Sequence, residues 1–295
     1  MPGCGVAAAR RTHGFVTVTL QDGEVVAVVD PTTGGRLTSF TVRGEELLAT
    51  VPRDVLETRL SDDPARDRDW YRGSFPLAPW AGTLDTGTFE FDGRKYALPV
   101  GSGAVHGLVA ERSWDLVGVP TRTSGTLAVR IGPRFPGGWP FDGLVQQSFR
   151  LDQSSLRMRL EVHCLDGRMP AIAGFHPWFR RSLAADRPAM VSFAPGRRLI
   201  HHAGRHVPTA DLGPRPWDDL FLDVAASPSI AWPEGPTLTL VSSAPIWVYY
   251  ERMPEGFCIE PWTGPFNGLD TNWAAAVSPG NPLILELAIV IRQQD

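Results

Sequence analysis

The sequence predicts an all-β protein, a large antiparallel sandwich or barrel, from three observations. Apolar residues recur with a period of two, most clearly over residues 156–163, where every even position is apolar and every odd position is polar. This alternation is typical of a strand with one buried and one exposed face. Glycine and proline number 30 and 27 and are spread along the whole chain, which indicates many turns. No long amphipathic helical pattern is present, so many short strands are expected.

The individual elements follow from the same alternation. Weaker period-two runs predict further strands at residues 15–20, 24–29, 37–42, 126–131, 144–151, 237–241, 246–250 and 283–291. Asp22-Gly23 and Asp92-Gly93 each lie between strand-like runs and favour hairpin turns, because both residues tolerate positive φ. Residues 53–60 could form a short helix.

The end of the chain and its overall organisation give two further expectations. Residues 283–291 are apolar on both faces except at Glu286, which is typical of a central strand buried between layers. No change in composition and no repeat divides the chain, so we expect a single domain over residues 1–295.

Composition and charge exclude several functional classes. Basic residues number 28 and acidic residues 32, a formal net charge of −4, and no basic block is present, so nucleic-acid binding is not expected. No apolar run approaches the ~20 residues of a membrane span, and the N-terminus lacks the order of a secretory signal. Cys4, Cys164 and Cys258 are far apart and form no paired motif, so we expect a cytoplasmic protein with reduced thiols.

Aromatic residues gather with glycine, proline and titratable residues in four segments, which are residues 75–82, 103–107, 174–179 and 258–264. Tryptophan faces beside fixed polar groups are plausible platforms for a sugar ring, whose C–H face stacks on the indole. The alternative is that these tryptophans are core residues. Trp80, Trp178 and Trp262, which lie in or beside the histidine and glutamate motifs, are the candidate binding residues.

Two titratable residues in these segments are candidate acid/base groups. His176 lies between Phe175 and Pro177, and its ordinary pKa of ~6.5 allows proton transfer near neutral pH. Glu260 precedes Pro261 in an apolar segment, where burial would raise its pKa and make it a better base. A structural histidine and an arginine-paired glutamate are the alternatives that residue chemistry alone leaves open.

Taken together, the motifs resemble the aldose 1-epimerase (galactose mutarotase) family. The resemblance covers nearly the whole chain, in the family's order, through residues 35–40 (GRLTSF), 44–48 (GEELL), 78–80 (APW), 87–93, 106–107 (HG), 175–179 (FHPWF), 218–221 (DDLF) and 260–265 (EPWTGP). It implies a large antiparallel β-supersandwich with an open cleft for a free aldose such as glucose or galactose. It also implies an isomerase that interconverts the α and β anomers, without a metal or an organic cofactor.

The resemblance assigns the catalytic pair by motif. Glu260 matches the family's general base, which takes the proton from the C1 hydroxyl. His176 matches the general acid, which protonates the ring oxygen as the C1–O5 bond breaks. The open aldehyde turns about C1–C2 and the ring recloses as the other anomer. Because the acid and the base are expected on opposite sides of the hemiacetal, residues distant in sequence should meet.

The remaining site residues follow from the same match. His106 resembles the family's second histidine, which binds sugar hydroxyls, and Asp219 resembles its substrate-binding aspartate, with Asp218 as the alternative. The expected partner is a small-molecule sugar, with no nucleic acid and no membrane, and the protein is expected to be a monomer or a homodimer.

Thr83 departs from the family pattern, which commonly has an arginine soon after Pro-Trp. A threonine supplies one short hydroxyl in place of a charged, forked donor. Either Arg72 or another arginine replaces it, or the substrate differs from a common hexose. The residue is therefore a candidate for substrate binding and for specificity.

Two other functions stay open at this point. Thr83 motivates a different acid/base reaction, an epimerisation or elimination on a specialised sugar. A non-catalytic carbohydrate-binding module on the same fold is the third hypothesis. A metal site at His201, His202 and His206 is not favoured, since Ala203-Gly204-Arg205 is a poor helical segment and a solvated loop is expected there.

Overall fold

Strands make up most of the part of the chain that the structure, a computed structural model, describes, namely residues 17–59, 70–99, 104–184, 187–233 and 235–292. In chain order the strands are β1 (Val18–Asp22), β2 (Val25–Asp30), β3 (Arg36–Val42), β4 (Glu45–Glu46), β5 (Ser74–Leu77), β6 (Thr83–Leu84), β7 (Thr88–Phe91), β8 (Arg94–Ala97), β9 (Ala104–Val105), β10 (Asp115–Leu116), β11 (Ser124–Ile131), β12 (Gly143–Asp152), β13 (Ser155–Cys164), β14 (Met169–Ala171), β15 (Gly174–Arg180), β16 (Met190–Ser192), β17 (Arg197–His202), β18 (Arg205–Thr209), β19 (Asp218–Leu222), β20 (Ser229–Ala231), β21 (Thr237–Ser242), β22 (Ile246–Tyr250), β23 (Gly256–Trp262), β24 (Ala275–Val277) and β25 (Leu283–Arg292). One short helix, α1, covers Arg53–Arg59.

Two large sheets contain most of these strands. The larger has eleven strands in the order β1-β2-β3-β5-β15-β23-β22-β19-β17-β18, with β4 beside β3. The smaller has eight strands in the order β10-β11-β12-β13-β25-β21-β20-β16. Three two-stranded ribbons, β14-β24, β6-β9 and β7-β8, complete the described strands. Since β15 and β23 are neighbours, segments distant in the sequence meet at the centre of the larger sheet.

The main hydrophobic core lies between the two large sheets. One continuous cluster contains Phe175 and Ile259 from the larger sheet together with Leu160 and Leu285 from the smaller. Side chains alternate along a strand, so the residues between these core positions project from the opposite face of the larger sheet. That second face is the place where a site can be built from β15 and β23.

The sequence predicted most of this framework. The all-β prediction is confirmed, and so are the hairpins, because Gly23 turns β1 into β2 and Asp92-Gly93 turns β7 into β8 with positive φ. The short helix at residues 53–60 is also confirmed over Arg53–Arg59. The N-terminal part of the strand predicted at residues 15–20 lies outside the described residues.

The prediction that the last strand is buried on both faces is wrong. β25 is central, between β13 and β21, but only alternate residues are buried. Leu285, Leu287 and Ile289 point into the core, whereas Ile284 is 39% exposed and Glu286 is exposed on the outer face. β25 therefore has one face in the core and the other face exposed on the outside of the sandwich, instead of lying between two layers. No helix of the described residues is long and apolar enough to cross a membrane.

Candidate active site

Two neighbouring strands at the centre of the larger sheet carry the predicted acid and base. The antiparallel strands β15 and β23 pair Gly174 with Trp262 and Trp178 with Cys258, so His176 and Glu260 lie at facing positions midway between these pairs. His176 Nε2 lies 3.5 Å from Glu260 Oε1. The two side chains therefore lie side by side on one wall, instead of facing each other from opposite sides as expected.

A cavity of about 320 Å³ opens over this pair. Its volume is at the lower end of the ~300–1,000 Å³ that is usual for small-molecule sites, which matches a compact ligand. Aromatic rings, two histidines and two carboxylates dominate its walls, and the lining residues are Trp70, Tyr71, Thr83, Val105, His106, His176, Trp178, Asp218, Val248, Tyr250, Glu260 and Trp262.

Burial governs the protonation of the candidate acid/base pair, His176 and Glu260. Burial raises the pKa of Glu260 well above its ordinary 4.5, against a smaller lowering by a hydrogen bond from Trp262. Burial lowers the pKa of His176 well below its ordinary 6.5, and electrostatic interactions with His106 and Arg36 lower it further. Both effects favour a neutral pair in which the carboxyl holds one proton and the imidazole holds none on its second nitrogen. A small redistribution of that proton creates an acid and a base side by side.

Aromatic rings fix both members of the pair. Trp262 Nε1–H donates a hydrogen bond of 3.0 Å to Glu260 Oε2, which holds one carboxyl oxygen and leaves the other towards His176. The imidazole stacks with both Phe75 and Trp178, with ring centroids at 4.7 Å and 5.8 Å and nearly parallel planes. This stack restricts rotation of the ring, so His176 Nε2 stays directed at the carboxyl.

A buried cation lies behind this stack. Arg36 is fully buried, its guanidinium carbon is 4.5 Å from the centre of the Phe75 ring, and its Nη1 donates a hydrogen bond to the Arg72 carbonyl. The positive charge disfavours a second proton on His176. Arg36 thus contributes both to the packing of β3 against β5 and to the electrostatics of the pair.

His106 lies in a turn with positive φ and lines the same cavity. His106 and Gly107 have φ of 59° and 77°, and a Cβ on Gly107 would lie 2.1 Å from the Ala78 carbonyl oxygen. The imidazole of His106 packs edge-on against His176, with ring centroids 5.1 Å apart. Burial lowers the pKa of His106 to about 3, so this ring is neutral at physiological pH. Nδ1 of each histidine is buried with no hydrogen-bond partner in the part of the chain that the structure describes.

The structure places Asp218, and not Asp219, in the cavity wall. Asp218 lines the cavity and pairs in register with Tyr250, which lines it too. Asp219 is opposite Tyr249, a core residue, and its carboxylate is 3.6 Å from Arg198 Nη1. Adjacent residues of β19 point to opposite faces, and the motif alone did not show which of them faced the cleft.

The three predicted tryptophans separate into two groups. Trp178 and Trp262 line the cavity. Trp80 is 2% exposed in the main core, where its ring packs against Trp139 at a centroid distance of 6.0 Å. Trp80 is thus a core residue in this structure, the alternative that the sequence left open.

Thr83 lines the cavity beside Val105, its partner in the β6-β9 ribbon. No arginine or lysine lines this cavity among the described residues. Arg72, which was expected to replace the family's arginine, is not among the residues that line the cavity. Trp70, Tyr71 and Tyr250 also line the cavity and were not predicted from the sequence. Their aromatic side chains suit such a site, but their positions depend on loop conformation and on strand register.

The histidine cluster outside the cavity is a hairpin, and the expectation of a loop there is wrong. β17 and β18 pair His201 with His206, and the two rings stack with centroids 4.9 Å apart. Phe266 packs edge-on against both rings. His202 therefore cannot join His206 through a helical i, i+4 spacing.

A larger groove of about 520 Å³ lies on the outer face of the smaller sheet. Arginines, hydroxyl groups and Glu286 line it, and Arg159 pairs with both Glu161 and Glu286. No histidine lines this groove, whereas both His106 and His176 line the smaller cavity.

Comparison with known proteins agrees with this architecture. The family profile described as Aldose 1-epimerase matches residues 16–199. A search of curated proteins found no significant match. Solved structures are similar over nearly their full length. A protein from Synechocystis is 21% identical with a TM-score of 0.75, covering 98% of this chain and 100% of its own. A galactose mutarotase-like protein from Clostridium acetobutylicum is 15% identical with a TM-score of 0.77, covering 94% and 95%. Another from Lactobacillus casei is 17% identical with a TM-score of 0.73, covering 94% and 100%.

The matched residues include β15 and the turn at His106, and they extend over more than half of the chain. The chain belongs to the aldose 1-epimerase family, and its fold is the antiparallel β-supersandwich of the galactose mutarotase type. At these identities the solved structures establish the fold alone.

Proposed function

We propose that the protein interconverts the α and β anomers of a free aldose in the cavity formed by His176 and Glu260. One observation carries the proposal, which is the 3.5 Å approach of a buried imidazole and a buried carboxyl at the base of a 320 Å³ aromatic cavity. Mutarotation needs one proton removed from the C1 hydroxyl and one delivered to the ring oxygen. A pair that shares a single proton supplies both functions.

The side-by-side arrangement fits the geometry of a hemiacetal. O1 and O5 of a pyranose are bonded to the same carbon, so two adjacent groups on one wall can reach both oxygens. In the reactive form Glu260 is ionised and takes the proton from O1, while protonated His176 gives its proton to O5 as the C1–O5 bond breaks. Rotation about C1–C2 and the reverse transfers give the other anomer, and the pair returns to its initial protonation state.

The rest of the cavity would position the sugar. The faces of Trp178 and Trp262 offer apolar surface to C–H groups of the ring. His106, neutral at physiological pH, and Asp218 offer hydrogen-bond partners for hydroxyls that lie away from C1. Thr83 contributes a neutral hydroxyl at the same wall.

Polarimetry on freshly dissolved α-D-glucose and α-D-galactose tests the proposal directly. The protein should accelerate the change in optical rotation. Glu260→Gln and His176→Asn should each lower the catalysed rate by about 10²–10⁴-fold, the usual contribution of a positioned acid or base. Glu286→Gln and His163→Asn are matched controls, because both side chains lie on the outer face of the smaller sheet, away from the cavity.

Two results would overturn the proposal. The first is a wild-type protein that leaves the rotation change at its spontaneous rate over a panel of aldoses. The second is full activity in Glu260→Gln. Binding of aldoses without turnover would instead indicate a carbohydrate-binding module.

The cavity wall around Thr83 favours a second candidate, which is acid/base chemistry on a specialised sugar. The same pair could move a proton at carbon and so epimerise or eliminate. NMR analysis of the sugar after long incubation distinguishes the two reactions. Mutarotation returns only the two anomers, whereas the alternative gives a new epimer or an unsaturated product.

A further inference from the structure

We propose that the cavity binds one Zn²⁺ ion through His176, Cys258 and Glu260, and that this ion excludes the sugar. Cys258 has no role in the proton transfers described above. One ring nitrogen of His176, the thiol sulfur of Cys258 and a carboxyl oxygen of Glu260 all lie within 4.8 Å of one another. The three residues are buried, on neighbouring strands of one sheet.

The register explains why these donors converge. Cys258 and Glu260 are two residues apart on β23, so their side chains project from the same face. Cys258 is directly opposite Trp178, and His176 is two residues before Trp178 on β15. His176 Nε2 and Glu260 Oε1 are already 3.5 Å apart. Zinc bonds to sulfur, nitrogen and oxygen are about 2.0–2.3 Å long, so only small side-chain rotations would bring the three donors onto one ion.

The donor chemistry selects a borderline-soft dication. A thiolate, an imidazole and a carboxylate are zinc ligands, and three protein ligands with an open position form the usual pattern of an accessible zinc site. His176 is nine-tenths buried, lines the cavity and has an Nδ1 without a partner among the described residues. Asp218 lines the same cavity and adds a second carboxylate near the ion.

Zinc binding would change the protonation of the cluster. The thiol proton of Cys258 and the carboxyl proton of Glu260 leave to the buffer as the metal–ligand bonds form, and no redox change is needed. The ion would then occupy both groups of the proposed acid/base pair. Inhibition therefore rests on the proposed function, whereas zinc binding itself does not.

The test measures zinc binding and activity separately. All proteins carry Cys4→Ser, which removes a thiol outside the described residues, and His206→Ala, which breaks the stacked surface pair with His201. Isothermal titration with ZnCl₂ should show one site in this background protein. Cys258→Ser should weaken it by at least about tenfold, since even loss of a second-shell group costs ~10–100-fold in metal affinity.

Cys164→Ser is the matched control, because Cys164 is also a buried free cysteine and its thiol donates to the Asp166 carbonyl outside the cavity. Titration with Co²⁺ provides a second readout, which reports directly on a metal–thiolate bond. A near-ultraviolet thiolate-to-cobalt charge-transfer band should appear in the background protein and in Cys164→Ser, and disappear in Cys258→Ser. Cys258→Ala replaces the serine variant if the latter does not fold.

The proposal is overturned if cobalt gives no thiolate band, or if the Cys258 variant binds zinc with unchanged affinity. It is also overturned if saturating aldose that binds the protein leaves the zinc affinity unchanged. Zinc binding in a protein that does not catalyse mutarotation would remove the proposed function and keep the metal site. Mutarotation without zinc binding would do the reverse.

Discussion

Trp262→Phe isolates one hydrogen bond of the candidate site. The substitution keeps an aromatic face at the cavity wall and removes the Nε1–H that donates to Glu260 Oε2 at 3.0 Å. Both residues are buried, at 4% and 2% exposure, so water cannot replace the lost donor fully. Because the bond stabilises the carboxylate form, its loss should make the reactive ion pair with His176 less populated.

The expected size follows from the energy of such a bond. A hydrogen bond to a charged group contributes about 1.5–3 kcal/mol. Since 1.36 kcal/mol corresponds to one pKa unit and to tenfold in rate, the rate should fall by about 10- to 100-fold. The pKa of Glu260, already raised by burial, should rise further, because the lost hydrogen bond favoured the ionised form.

The sign of the pH effect follows from the single shared proton. Activity needs one proton on the pair, so it is lost at low pH when His176 takes a second proton and at high pH when Glu260 loses the shared one. Raising the pKa of Glu260 moves only the alkaline limb, and moves it upwards. Polarimetry as a function of pH, with the spontaneous rate subtracted at each pH, measures the position of the alkaline limb.

Trp178→Phe is the control for this experiment. Trp178 also lines the cavity, but its Nε1–H donates to the Trp70 carbonyl at 2.7 Å and not to the carboxyl. Its substitution should leave the alkaline limb in place. An unchanged alkaline limb in Trp262→Phe, or an equal shift in both variants, would refute the reasoning about the Glu260 proton.

Two further predictions concern the cavity wall and the turn that positions His106. Asp218→Asn should raise KM about 5- to 10-fold, because it replaces a charge-assisted hydrogen bond to the sugar with a neutral one. Asp219→Asn should leave KM unchanged, since Asp219 pairs with Arg198 outside the cavity. Steady-state kinetics that show the opposite order would contradict the assignment of Asp218 to the cavity wall. Gly93→Ala, at φ 72° with no atom within 4 Å of the new Cβ, should cost about 1–2 kcal/mol of unfolding free energy. At Gly107, with φ 77°, a new Cβ would lie 2.1 Å from the Ala78 carbonyl oxygen, so Gly107→Ala should lower the unfolding free energy by ~1–3 kcal/mol more than Gly93→Ala does. Urea unfolding measures both variants, and equal losses in the two would be inconsistent with this packing.

The fold was predictable because local pattern and global arrangement agree. The alternation over residues 156–163 became the interior of β13, and the two Asp-Gly pairs became hairpins because only small or polar residues accept the positive φ required. The burial of β25 was mispredicted for a physical reason. Apolar residues such as Ile284 stay exposed on an outer sheet face, and sequence cannot tell that face from a second core.

The site was predictable in identity but not in geometry. Motif order selected His176, Glu260 and His106, all of which line one cavity. It could not decide between Asp218 and Asp219, because that depends on the register of β19 against β22. It also could not show that Trp80 packs in the core, or that Cys258 lies beside the pair, since both depend on how distant strands meet.

A crystal structure of the protein soaked with an aldose would test the central claim most directly. The account predicts one pyranose in the 320 Å³ cavity, with the carboxyl of Glu260 and Nε2 of His176 each within about 2.6–3.2 Å of O1 or O5. A sugar bound with its anomeric carbon turned away from these two groups, or bound only in the groove on the smaller sheet, would contradict it.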